Sequence, residues 1–264
     1  VTTLAAGVTG GGNAFSFTDA TALTIGTVDG VAGITTNSGP VTVSAGGNLL
    51  VGTVSAGSGV VLLSSSGGSI LDDNTGAVNI TAGGTTLSAG SSIGSQSDPL
   101  ETQISTLTAM ASSGGIYIVE TDALTVTAAA SQDISVRNLA GSMTLNTITF
   151  GASATAALTA SAGSILDRNG ASVNLTGGTA SLSASGWIGD SSDPLETTVG
   201  TLSAAASSGS VYVAETDAVT LGMVSAGGDV IISNTTGDMT VNEVSAGNTA
   251  SLSSGGSLLS GVVG

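Results

Sequence analysis

Apolar and polar residues alternate one by one along this chain, in short bursts. Val78-Asn79-Ile80-Thr81, Ile116-Tyr117-Ile118, Leu124-Thr125-Val126 and Met143-Thr144-Leu145 are typical, and Val230-Ile231-Ile232 is a more apolar variant. A period of two over four to six residues, bounded by Gly, Asn, Asp and Ser, predicts half-buried strands. The glycines fall mostly between the bursts, where the chain must turn. The pattern predicts many short strands and no helices.

A longer period overlies the alternation. Ser-Ile-Leu-Asp at 69–72 returns at 164–167, and Ser-Asp-Pro-Leu-Glu-Thr at 97–102 returns unchanged at 192–197. Ile-Tyr-Ile-Val-Glu-Thr-Asp-Ala-Leu-Thr at 116–125 returns as Val-Tyr-Val-Ala-Glu-Thr-Asp-Ala-Val-Thr at 211–220, again 95 residues on. Self-similarity at fixed spacing is the mark of a stacked repeat architecture. Inside the 95 lies a finer period: Leu87, Leu107, Val126, Leu145, Ile165, Leu182, Leu202, Leu221 and Val241 follow one another at steps of 17 to 20 residues.

A repeat of about 19 residues carrying two or three strands suits one turn of a parallel β-solenoid, with each turn lying about 4.8 Å above the last. The expectation is an all-β, parallel β-helix running as a single continuous solenoid over 1–264. Its internal repeat units fall at about 67–161 and 162–254, with a partial unit at 1–66. At this spacing the chain makes roughly 14 turns and a rod about 65 Å long. Gly255-Gly256-Ser257-Leu258-Leu259 begins another copy of the repeat, so the chain reads as a fragment of a longer one. A sandwich or barrel of hairpins also supplies short strands but does not predict the duplication. A propeller blade needs about 40–50 residues with recurring aromatics.

Composition narrows the chemistry. Lys+Arg number 2 against Asp+Glu 18, both cations are arginines (Arg137 and Arg168), and Lys, His and Cys are absent. Without His there is no Ser-His-Asp or Cys-His triad. Without Cys or His there is no ordinary zinc site, and without Lys no Schiff base. A net charge of -16 disfavours nucleic acid, whose binding depends on cationic side chains. Mean hydropathy is +0.48, yet no window approaches the roughly 18–20 consecutive apolar residues of a spanning helix. An aromatic content of 2% suits a narrow interior that Ala, Val, Leu and Ile can fill.

Two duplicated acidic motifs are the candidate chemistry. Asp98 and Glu101, copied as Asp193 and Glu196, could offer oxygen ligands to calcium. The favoured reading is local: Asp before Pro starts a turn, with Pro opening one turn of helix and Glu capping it. Glu120 with Asp122, copied as Glu215 with Asp217, could place two carboxyls on one strand face, as glycoside hydrolysis requires. A pair copied with its whole unit reads better as a solvated, mutually repelling turn. Arg137 and Arg168 are not repeated, and either could serve a lyase, although lone surface charges are commoner. Trp187 replaces Ser92 of the other copy and reads as a single exposed or capping aromatic rather than a stacking platform. The glycosylation sequons at Asn79, Asn174 and Asn234 read as incidental. No catalytic, cofactor-binding or metal-binding residue is assigned.

Gly-Ser-Ile-Leu-Asp, Val-Asn-Leu-Thr, Gly-Trp-Ile-Gly-Asp, Ser-Asp-Pro-Leu-Glu-Thr and Val-Ser-Ala-Gly-Gly-Asp-Val together resemble the repeats of large bacterial exoproteins of the filamentous haemagglutinin family. The resemblance covers the chain from about Gly67 onward, and Val41 to Ser66 more loosely. It implies a right-handed parallel β-helix of about 19 residues per turn, secreted across a Gram-negative envelope. No Asn-Pro-Asn secretion motif or Arg-Gly-Asp receptor motif is present. The expected function is a non-enzymatic extracellular adhesive rod, part of a giant adhesin. Its partners would be neighbouring repeats, a second copy end to end, or a surface glycan or protein, with no nucleic acid, cofactor or membrane insertion. The alternatives are a self-assembling filament or sheath subunit and, less favoured, a polysaccharide-degrading β-helix enzyme.

Overall fold

The computed structural model describes residues 1–261. Among these residues there are 28 strands and no helix, so none could cross a membrane as an apolar helix. The chain is a β-solenoid of stacked parallel coils about 21 residues apart. It divides into two compact units, Val1–Leu124 with Ala128–Ser131, and Thr125–Thr127 with the chain from Gln132 onward. The division falls inside the first sequence repeat.

In the first unit one stack runs through Phe15–Asp19, Val41–Ala45, Val60–Ser65 and the second halves of Ile80–Ala89 and Leu100–Ala111. A second stack joins Thr3–Leu4, Leu23–Ile25, Leu49–Val51 and Ile70–Asp72. A third joins Ala6–Gly11, Ile34–Asn37, Val54–Ser55 and the first halves of the two long strands. Among the described residues the strand pairings are parallel except for the hairpin of Thr27–Val28 with Val31–Ala32. Alternation then decides which side chains meet. Val43, Leu63, Leu87 and Ala109 stand in one column, each at most 2% exposed. Each fully buried Leu or Ile contributes about 2 kcal/mol.

The second unit repeats the device. Ile134–Asn138 pairs with Thr155–Ala160, which pairs with Leu175–Ala184 and then Leu195–Ala206. Val136, Leu158, Leu182 and Ala204 form the column. Farther along, Leu202, Leu221 and Val241 stack as the 19-residue series predicts.

Elsewhere the expected ladder is off by two residues. Leu87 stands beside Ala109, and Leu107 beside Thr85. Leu145 stands beside Asp167, and Ile165 beside Met143. The physical reason is the alternation itself: a slip of two keeps every side chain on its own face, so apolar spacing alone does not distinguish the registers. Coil length also varies, from 18 residues between Leu100 and Ile118 to 28 between Ala6 and Ile34. The longer coils carry extra loop, such as the stretch from Asp167 to Asn174.

One glycine in each copy is obligatory. Gly94 and Gly189 have φ of +62° and +67°, and a Cβ there would lie 2.4 Å from the Tyr117 carbonyl oxygen and 2.2 Å from that of Tyr212. These glycines let the coil turn beneath the Tyr strand.

Candidate functional site

The duplicated Glu is an interior group. Glu120 ends the strand Ile116–Glu120 and is 0% exposed. Its Oε2 accepts a hydrogen bond from Thr102 Oγ1 at 2.5 Å. Its Oε1 accepts from the backbone N–H of Ile104 at 3.0 Å, of Thr121 at 3.0 Å and of Asp122 at 3.3 Å. Glu215 is also 0% exposed and is held in the same way by Thr197 Oγ1 and by the N–H groups of Val199, Thr216 and Asp217. The expected solvated turn is therefore corrected. Asp122 and Asp217 are exposed, whereas Glu120 and Glu215 close the coil corner from inside. The strand ends at the Glu, so the i, i+2 geometry that would set two carboxyls side by side does not apply.

Burial raises the Glu120 carboxyl to about 7, against the pull of hydrogen bonds from Thr102, Ile104 and Asp122. Glu215 is raised for the same leading reason. Desolvation disfavours the charged form, and the donors only partly restore it.

The Ser-Asp-Pro-Leu-Glu-Thr segment forms a second acidic corner. Ser95 and Asp98 exchange backbone hydrogen bonds of 2.9 and 3.2 Å, closing a tight turn. The strand Leu100–Ala111 then follows Pro99 directly. The expected turn is present; the helical turn is not, because Pro biases the residue before it toward extended backbone. Loss of water raises the Asp98 carboxyl, and the neighbouring Asp72 carboxyl adds to the effect. Loss of water also raises Glu101, followed by the charges of Asp72 and Asp98. Asp193 and Glu196 repeat these shifts beside Asp167. Among the described residues, no group of three or more acidic side chains is placed to hold a metal ion.

Between the two acidic features sits a residue that the sequence misdirected. Asn79 is 0% exposed, donates from Nδ2 to the Val51 carbonyl at 2.7 Å and accepts at Oδ1 from the Glu101 N–H at 2.8 Å. It also donates to Asp72 Oδ1. Asn174 accepts from the Glu196 N–H at 2.9 Å and donates to Asp167 Oδ1. Asn234, 4% exposed, donates to the Gly237 carbonyl at 3.3 Å. The sequons thus mark buried asparagines: Asn79 and Asn174 tie coils together, and Asn234 closes its own turn. The signal that could have found this role is duplication of Asn together with Glu and Thr at the same offset.

Arg137 and Arg168 are both exposed, and neither forms a salt bridge among the described residues. Arg137 stands beside Thr159 on an outward-facing row, and the Arg168 N–H caps Asp167 Oδ1. Trp187 is 41% exposed, as expected of an exposed aromatic. It is not alone: its ring centroid lies 6.0 Å from that of Tyr212, with the planes tilted by 37°.

No family model matches the chain, and neither does any curated protein or solved structure. Chemically, the acidic corners can exchange protons and fix the backbone. The aromatic pair presents an open face.

Proposed function

We propose that this chain is a non-enzymatic structural and adhesive segment of a large extracellular protein, similar in role to the filamentous haemagglutinin-type adhesins its repeats resemble. One observation carries the reading. The Asn79–Glu120 and Asn174–Glu215 sets are buried and hydrogen-bonded alike in both copies, so the repeated polar chemistry is spent on holding coils together. Parallel ladders resist extension, and an acid-rich surface opposes lateral clumping. In this role the chain supplies reach and stiffness on a bacterial surface.

Two measurements test the proposal. Antibody or protease access on intact producing cells is expected to place the chain outside, and incubation with neutral and anionic polysaccharides is expected to release no sugar. A purely internal location, or release of reducing or unsaturated ends, overturns it. Electron microscopy separates the filament alternative, which requires protomers joined end to end with a regular axial repeat.

A further inference from the structure

We propose that Trp187 and Tyr212 form a one-sided aromatic platform that binds a small quaternary ammonium cation of the choline type. The platform belongs to the second copy alone. Offset by 95 residues, Trp187 corresponds to Ser92 and Asp190 to Ser95, whereas Tyr212 corresponds to Tyr117. The indole lies over Gly209, where a Cβ would come within 2.2 Å of Trp187 Cδ1, so that glycine keeps the ring against the next coil. With Trp187 41% exposed and Tyr212 at 6.0 Å, the pair shows water an open π-surface.

Charge selects the occupant. Asp190 follows Trp187 by three residues, about 10 Å of chain at most. Its carboxylate accepts hydrogen bonds from Ser192 N–H at 2.9 Å and Ser192 Oγ at 2.6 Å, which hold it ionised. Asp229 lies in the same column as Trp187, two coils farther on and about 10 Å away at strand spacing. The link runs from Ile188 N–H to the Ser210 carbonyl, and from Asp229 N–H to Ser210 Oγ. The backbones of both residues thus lie within about one Debye length of that of Trp187. No arginine lies in that column, which contains Ser164, Trp187, Ser210 and Asp229. An aromatic face beside unopposed negative charge attracts cations, Trp most strongly. A quaternary ammonium suits it because its methyl groups lose little water on contact.

The chain has one tryptophan, so its emission reports the platform directly. Choline chloride is titrated at constant ionic strength against 3,3-dimethyl-1-butanol, which has the same shape without the charge. Choline is expected to change Trp187 emission saturably, and the alcohol to bind about tenfold more weakly. Trp187→Ser and Asp190→Ser install the residues that the first copy carries at the same turn, so both variants are expected to fold. Isothermal titration, which needs no fluorophore, is expected to lose choline binding with Trp187→Ser and to weaken it with Asp190→Ser. Equal responses to choline and the alcohol overturn the proposal, as does choline binding that survives Trp187→Ser, or binding of a neutral disaccharide in place of choline. The platform stands apart from the scaffold role. Its failure leaves that role intact, and sugar release or an internal location would overturn that role without touching the platform.

Discussion

The two copies, 69–126 and 164–221, share an interior and differ at the surface. Inside, Thr102–Glu120 and Thr197–Glu215 are built alike, down to the backbone N–H groups that each Glu collects. Outside, Ser92 has become Trp187, Ser95 has become Asp190 and Asp73 has become Arg168. Buried polar groups tolerate little change because each must keep its partners once water is gone. Surface positions of a parallel coil carry no such condition. The copies therefore separate what specifies the coil from what is free to acquire a contact.

The comparison breaks most sharply at the buried carboxyls. Glu120→Leu leaves Thr102 Oγ1 and the Ile104 N–H without their acceptor inside the coil and is expected to destabilise the fold by about 3 kcal/mol. Glu215→Leu is expected to cost a similar amount, since its donors are the same. Denaturant unfolding of both variants measures this. A large effect in one copy and none in the other would mean that the shared geometry hides different energetics.

Acidity sharpens the comparison next. The Glu120 carboxyl is raised from its ordinary value of 4.5 to about 7 by burial, so the folded state prefers it protonated. Its contribution is fully present below pH 4.5 and is lost as pH rises through about 7. Glu215, Glu101 and Glu196 are raised too and act in the same direction. The melting temperature is therefore expected to be higher at about pH 5 than at about pH 8. Glu120→Gln keeps an acceptor for the N–H groups without the charge and is expected to flatten that slope. A melting temperature that rises steadily toward alkaline pH would contradict the assignment.

Fold class was legible because it follows from alternation and duplication, both visible in the residues. The period came out at about 21 residues and about 12 turns, where the apolar series predicts about 19 and roughly 14. Register was only partly legible. Leu87 had Leu107 and Ala109 as equally patterned partners, and only the loop lengths select Ala109. Glu120 looked like a surface acid because a lone carboxyl is ordinarily solvated. Apart from the Thr102 hydroxyl its donors are backbone N–H groups, of Ile104 on the neighbouring coil and of Thr121 and Asp122 in its own turn, and these leave no trace in residue type. Trp187 was visible as an exception, but its Tyr212 neighbour is 25 positions away in sequence and adjacent only through stacking.

The smallest expected effect separates the asparagines. Asn79 donates to the Val51 carbonyl at 2.7 Å, whereas Asn174 reaches the equivalent Leu145 carbonyl only at 3.4 Å. Both accept from the following Glu N–H at nearly the same distance, 2.8 and 2.9 Å. A shorter, better-formed bond loses more when removed. Asn79→Ala is therefore expected to cost about 2 kcal/mol and Asn174→Ala about 1 kcal/mol. Each Ala leaves the Glu N–H equally bare and removes the bond to Asp72 or Asp167. The difference therefore reports the carbonyl bond against the one that Asn174 alone donates, to Asn169 Oδ1 at 3.1 Å. Equal losses would show that the Glu N–H dominates in both copies. In that case the two interiors would be energetically alike where their distances differ.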